Sequence, residues 1–198
     1  MLNEKFHGVV FDLDNTLVTS SLNFNEIKAA IKCPQKLDIL EYIESLPNGE
    51  KNKAEQLVHH YEMADAEQSK KLPGVDNILL LLKQFNIPCA VITRNNKDAA
   101  RSKLHNNGIE IPLLLTRESF NAKPAPDALI YVAKYWQVSP ENVLCVGDYL
   151  YDIQMANNAN TKSCLVSYGN NIDYAHLATL VVEDLNALSE HILKVYNG

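Results

Sequence analysis

Short apolar runs recur along the chain, each ending in a small or polar residue and each followed by a stretch of helical periodicity. Val9-Val10-Phe11 ends in Asp12, Cys89-Ala90-Val91-Ile92 in Thr93, and Leu113-Leu114-Leu115 in Thr116. Val143-Leu144-Cys145-Val146 ends in Gly147-Asp148, Cys164-Leu165-Val166 in Ser167, and Leu180-Val181-Val182 in Glu183-Asp184. Bulky apolar runs without polar alternation suit strands covered on both faces. Helices are predicted between them at residues 75–85, 97–107, 126–136, 151–158 and 185–196. Gly108 stands where a helix stop is expected, and Ser139-Pro140-Glu141 reads as a helix or turn start. Strands alternating with helices imply right-handed crossovers. The predicted fold class is therefore α/β, with a Rossmann-like, mainly parallel sheet carrying helices on both faces.

Residues 18–72 break this rhythm. They read as three helical pieces, at 25–31, 35–45 and 51–68, with no convincing strand, and Leu72-Pro73-Gly74 punctuates the return to the main pattern. The predicted organisation is a core of residues 1–18 and 73–198, with residues 19–72 forming a small α-helical cap inserted after the first strand. At 198 residues the chain has room for one good-sized domain with such an insertion.

Composition narrows the class without changing it. An apolar fraction of 46% and a charged fraction of 21% are those of an ordinary globular protein. The net charge of −6 speaks against broad nucleic-acid binding, so an anionic ligand would need a local cluster of donors. The longest apolar stretch, near residues 78–82, is far too short to span a bilayer, and Met1-Leu2-Asn3-Glu4-Lys5 lacks the basic start and apolar core of a signal peptide. Cys33, Cys89, Cys145 and Cys164 show no Cys-x-x-Cys spacing and read as free thiols, mostly buried in strands. The expected setting is a reducing cytoplasm, without membrane or nucleic-acid partners. The pattern specifies no oligomeric state.

The candidate chemistry lies at the strand ends. Asp12 and Asp14 leave the first strand two positions apart, and two such carboxylates need a metal, a shared proton or divided roles. The plain alternative is an Asp-Asn turn. Thr93-Arg94-Asn95-Asn96 precedes a helix and offers a hydroxyl and amides to an anion, or simply a helix cap. Lys123 stands before two prolines that stiffen its surroundings, as a phosphate point charge or a solvated loop lysine. Asp148 and Asp152, four residues apart, suit magnesium with hard oxygen donors, or else a helix cap and a dipole partner. Taken together, acids, a hydroxyl and a cation at successive strand ends form the pattern of a magnesium-bound phosphoryl-transfer site.

In that combination the chain resembles the haloacid dehalogenase superfamily, in its phosphoglycolate-phosphatase-like branch with a helical cap. The motifs stand in order: Asp12-Leu13-Asp14-Asn15-Thr16, then Thr93, Lys123, and Gly147-Asp148 with Asp152. The resemblance implies a magnesium-dependent phosphatase that hydrolyses a small phosphorylated metabolite, such as phosphoglycolate or a sugar phosphate, through an aspartyl-phosphate. It implies Asp12 as nucleophile and Asp14 as the group that protonates the leaving oxygen and later deprotonates water. Asp12, the main-chain carbonyl of Asp14, and Asp148 would hold Mg2+, with Asp152 close by. Thr93 and Lys123 would bind phosphoryl oxygens, with backbone amides at Leu13 and Arg94 assisting. Asn15 and Asn160 stand where the family often has glycine, and asparagine is the residue next most tolerant of positive φ.

The rival enzyme within the resemblance is a β-phosphoglucomutase-type phosphotransferase; dehalogenases and phosphonatases lack the second acid. A non-catalytic phosphate- and magnesium-binding signalling module is the rival of another class. The remaining conspicuous residues receive plain readings. His59-His60 belongs to a helix surface, Tyr135 and Trp136 are expected to pack on the sheet, and Tyr149 and Tyr151 would shape a pocket mouth. Lys28, Lys32 and Lys36 are read as a solvated face.

Overall fold

The computed structural model describes residues 5–197; Met1 to Glu4, most of the segment read above for a signal peptide, lie outside the described residues. Each apolar run forms a strand: β1 (Gly8–Phe11), β2 (Cys89–Ile92), β3 (Leu114–Leu115), β4 (Val143–Gly147), β5 (Lys162–Val166) and β6 (Leu180–Val182). They make one parallel sheet in the order β3-β2-β1-β4-β5-β6. The chain builds outward from β1 in one direction and then, from β4, in the other. The β1–β4 boundary is thus the switch point at which open α/β sheets leave a crevice beyond the strand ends. Phe11 pairs with Val146 in register, so Asp12 and Gly147-Asp148 leave the sheet side by side.

Strand side chains alternate between faces, and the core divides accordingly. Val9, Phe11, Val91, Leu144 and Val146 face one layer with α4 (Val75–Gln84), α5 (Lys97–Asn106) and α8 (Leu185–Asn197). Val10, Ala90, Ile92, Val143 and Cys145 face the other, against α6 (Asp127–Trp136) and α7 (Leu150–Asn158). All four residues of β1 are buried. The four cysteines are free, three of them buried and Cys89 partly so. Among the described residues no helix is long and apolar enough to cross a membrane.

Between β1 and α4 stand α1 (Phe24–Ala30), α2 (Ile39–Glu44) and α3 (Asn48–Gln68). They bury a cluster of their own, formed by Ile27, Ile31, Cys33, Ile39, Ile43, Ala54 and Val58. The two crossings back to the sheet run side by side. Val18 bridges Lys71 antiparallel, the Thr19 amide donates to the Lys70 carbonyl at 2.8 Å, and the Leu72 amide to the Leu17 carbonyl at 3.0 Å.

Three expectations need correction. The helix expected at 35–45 is only Ile39–Glu44, because Pro34 organises a turn and Asp38 caps the helix, accepting from the amides of Leu40 at 2.9 Å and Glu41 at 3.3 Å. The helix expected from residue 51 starts at Asn48, since the Pro47 carbonyl already takes the Glu50 and Lys51 amides, each at 2.9 Å. Tyr135 does not pack on the sheet: it is 63% exposed and stacks on Tyr131 one turn earlier. The buried face of α6 is Ala128, Leu129, Val132 and Ala133, so positions 131 and 135 share the outer side.

Trp136 does pack inward, over Gly8. A Cβ at residue 8 would lie 2.5 Å from the indole Cε3 and Cζ3 atoms, so glycine is the residue that lets the ring lie flat on β1. Gly8→Ala is expected to destabilise the protein by about 1–3 kcal/mol through overpacking. Urea unfolding checks this, and Trp136→Leu in the same chain should make the two effects less than additive.

Candidate active site

The turn after β1 fixes the first acids. Leu13 is fully buried and its carbonyl accepts the amides of Leu17 at 2.9 Å and Val18 at 3.1 Å. Asn15 turns the chain at φ +54°, and Asn160 adopts the same value, which is how asparagine serves where glycine is common. The Tyr168 hydroxyl donates to the Asn15 carbonyl at 2.5 Å, bracing the turn from the loop after β5.

Asp12, Asp148 and Asp152 converge, each offering a carboxylate oxygen, with all three oxygens within 4.8 Å of one another. The Lys123 ammonium donates to Asp12 and, at 2.6 Å, to Asp152. Asp152 also accepts the Tyr149 amide at 3.2 Å, so the capping role considered for Asp148 falls to Asp152 and leaves Asp148 facing the cluster. Gly147 has no room for a Cβ, which would overlap the Asp152 carboxyl. Burial pushes the Asp12 carboxyl up to about 6, with Lys123 pulling it back and Asp152 adding to the rise. Burial, then the charges of Asp12 and Asp152, push Asp148 up to about 8. Burial opposes the charge on Lys123, but Asp12 and Asp152 together hold its ammonium above the usual lysine range. Three hard oxygen donors against one lysine fit a small divalent cation, which would complete the charge balance.

The Asp14 carboxylate lies outside that trio. Its Oδ2 accepts from the Asn95 side-chain Nδ2 at 2.7 Å and its Oδ1 from the Lys103 ammonium at 2.5 Å. Thr93, 3% exposed, accepts from the Asn95 amide at 3.1 Å and its side chain at 3.0 Å. The helix cap considered for this segment is Asn96, which accepts the Ala99 amide at 2.8 Å. Arg94 gives its guanidinium to Asp38 at 2.7 and 2.6 Å and to the Lys123 carbonyl, and lies over the Tyr151 ring at 4.7 Å. That side chain is therefore committed to the inserted helices, and its backbone amide is what remains for an anion.

These groups form one wall of a cavity of about 430 Å³, reached by Asp12, Asp14, Thr93, Lys123, Asp148 and Asp152. Leu22, Phe24, Ile27, Leu40 and Val58 of the inserted segment form the opposite wall, and Tyr149 and Tyr151 line the same space. Lys28 and Lys36 reach the cavity as well, whereas Lys32 is exposed outside it; Lys28 donates to the Gln35 carbonyl at 2.7 Å. His60 meets only the edge of Tyr61 among ring contacts.

Sequence reasoning missed the acids of α3. Its buried positions are Ala54, Val58, Glu62, Asp65 and Ala66, an inward stripe that contains two carboxylates. Glu62 accepts from Arg117 at 2.5 Å and from the Asn96 amide at 3.0 Å; Asp65 meets Lys103 at 2.7 Å. Charges at inward helical spacing were the available signal, since buried acids require partners.

A parallel sheet with carboxylates gathered at its switch point and a cavity roofed by inserted helices defines an α/β enzyme of the acid-cluster kind. The chain belongs to the haloacid dehalogenase-like hydrolases, whose family pattern matches residues 9–166. It is similar to a haloacid dehalogenase-like hydrolase domain-containing protein of Arabidopsis thaliana, 29% identical over 174 residues covering 82% of this chain and 71% of that one. It is 24% identical to a phosphoglycolate phosphatase of Psychrobacter arcticus, over 95% of this chain and 96% of that one. The crystal structure of a hydrolase from Pseudomonas syringae shares the fold with a TM-score of 0.81 at 21% identity, covering 95% of this chain and 98% of that one.

Glu62→Ala is expected to destabilise the protein by about 1–3 kcal/mol, because it removes an acceptor from the Asn96 amide and from Arg117, which keeps only the Arg94 carbonyl. Denaturant unfolding of the two proteins measures it, and a change below about 1 kcal/mol would mean that Arg117 finds another partner or water.

Proposed function

We propose that the protein is a magnesium-dependent phosphatase acting on a small phosphate monoester through an aspartyl-phosphate at Asp12, with residues 19–72 as a cap over the site. The observation that carries this reading is the convergence of Asp12, Asp148 and Asp152 on Lys123 at the β1–β4 switch point, with Asp14 two residues away. The similarity to phosphatases supports the same class. A cavity of about 430 Å³ suits a small metabolite better than a macromolecule.

Asp12, the Asp14 carbonyl and Asp148 would hold the magnesium, with Asp152 supporting from beside Lys123. Bound there, the ion would neutralise phosphoryl oxygens and lower the charge repulsion facing an anionic nucleophile. A carboxylate oxygen of Asp12 attacks phosphorus as the bond to the leaving oxygen breaks, and Asp14 gives that oxygen its proton. Water then attacks the aspartyl-phosphate, Asp14 takes its proton, and the Asp12–phosphorus bond breaks to release phosphate. Lys123 and the Thr93 hydroxyl hold the equatorial oxygens in both steps, with the Leu13 and Arg94 amides assisting.

Asp12→Asn should abolish hydrolysis of p-nitrophenyl phosphate while leaving the thermal unfolding transition cooperative. Wild-type turnover in that variant would rule out the covalent route. Phosphate release from a panel of phosphorylated metabolites, against isomerised sugar phosphate without net release, separates the hydrolase from a phosphoglucomutase-type transferase.

The acid cluster also sets a pH dependence. Asp12 near 6 and Asp148 near 8 lie above the ordinary carboxyl value of 3.8, so the folded protein holds their protons more tightly than the unfolded chain. The stability these groups contribute without metal is fully present below about pH 4 and is lost as pH rises toward 8. Magnesium competes with the same protons, so it should raise the melting temperature more at pH 8 than at pH 6. Paired melts with Mg2+ and with chelator test this; an equal shift at both pH values would place the metal elsewhere.

A further inference from the structure

Lys103 lies in the last turn of α5, outside the strand-end motifs in sequence, and is fully buried. A lysine is almost never buried to that degree unless paired, and this one is paired twice: Nζ lies 2.5 Å from Asp14 Oδ1 and 2.7 Å from Asp65 Oδ2. Asp65 does more than balance charge. It accepts from the Ser20 hydroxyl at 2.9 Å, the Ser21 amide at 2.6 Å and the Ser21 hydroxyl at 3.0 Å. The Ser20 amide in turn donates to the Asn15 side chain at 3.1 Å. The contacts therefore close a ring that starts at Asp14, passes through Lys103, Asp65 and Ser20, and returns to Asn15, the residue after Asp14.

We propose that Lys103 is a positioning residue for the phosphatase reaction: with Asp65 as its anchor, it holds the Asp14 side chain in the orientation from which Asp14 serves the leaving oxygen. The proposal rests on the phosphatase reading above and deepens it. A carboxylate on a turn has two free torsions, and only some orientations bring an oxygen to the cavity. Asp14 lines the cavity while its two oxygens are held from behind by Lys103 and Asn95, so its direction is set by groups that never meet the substrate. Asp65 lies on α3 and its serine partners lie on the segment that enters the inserted helices, so the same ring registers those helices against the acid.

The experiment compares phenyl phosphate with 2,4-dinitrophenyl phosphate on the full chain with magnesium. Phenolate needs a proton to leave well, whereas dinitrophenolate leaves without one. The ratio kcat/KM is read because it covers only the steps up to departure of the leaving group. Asp14→Asn defines the signature of a lost acid: a large fall on phenyl phosphate and a small one on the dinitrophenyl ester. Lys103→Met is expected to reproduce that signature, with about a 10²-fold fall on phenyl phosphate and less than about 3-fold on the dinitrophenyl ester. Asp65→Asn, which keeps the lysine and the shape of its partner, should fall in the same selective sense by about 10-fold. It remains decisive if Lys103→Met does not fold. Equal losses on both esters, or none, in whichever of these variants folds would overturn the role of Lys103 while leaving the phosphatase reading intact. Absence of hydrolysis of both esters by the unaltered protein, or no selectivity in Asp14→Asn, would instead overturn the reading on which it rests.

Discussion

Three carboxylates converge where β1 and β4 leave the sheet, and a single lysine stands among them. Burying these carboxylates is costly and their mutual repulsion adds to the cost, so the proton affinities of Asp12 and Asp148 lie well above those of free carboxyls. Much of the surrounding architecture follows from holding that arrangement. The register of β1 with β4 places Asp12 beside Asp148. The absence of a side chain at Gly147 admits the Asp152 carboxyl. The Lys123 ammonium reaches across from the loop before α6 to separate Asp12 from Asp152. A parallel sheet is suited to this role because its strands all deliver their C-terminal ends to one edge, where loops are free of ladder constraints.

Three ion pairs join the inserted segment to the sheet side. Asp38 pairs with Arg94, Glu62 with Arg117 and Asp65 with Lys103, and in every case the acid comes from the insertion and the base from the sheet side. The apolar cluster of the insertion is separate from the two layers that cover the sheet. An interface of directional ion pairs resists sliding more than an apolar one of equal area, because displacement leaves buried charges without partners.

The sheet was legible because its information is local. Each strand contains most or all of an apolar run of three or four residues, and each run ends at a small or polar residue, so the strand ends and the groups they carry could be read together. The inserted helices were legible as helices for the same reason. What could not be read were pairings between distant residues: Lys103 with Asp14 lies 89 positions apart, and Arg94 with Asp38 56. Lys103 looks like a surface lysine on a polar helix, and Glu62 and Asp65 look like ordinary charges on α3. Their inward spacing carries meaning only once the base that meets them is known. Tyr135 was misplaced by a simpler error, since adjacent aromatic residues on a helix point about 100° apart and only Trp136 falls on the buried stripe.

The division of labour around the cavity explains why the chemistry of this chain is easier to infer than its substrate. The groups expected to meet phosphate come from the strand ends and, for Lys123, from the loop before α6; Asp12, Thr93 and Lys123 are buried, and Lys123 is hydrogen-bonded to Asp12 and Asp152. The facing wall comes from α1, the turn before α2, and the inner side of α3, and it is mostly aliphatic. An aliphatic wall constrains size and shape, and a single methylene in such a wall discriminates by only about 1–3 kcal/mol. The polar groups that line the same space from that side are Lys28, Lys36, Asp38 and Glu62; the two acids are paired with Arg94 and Arg117, and Lys28 donates to the Gln35 carbonyl. On the proposed reading the strand-end wall would set the bond to be broken, and the wall from the inserted segment would select what is attached to the phosphate.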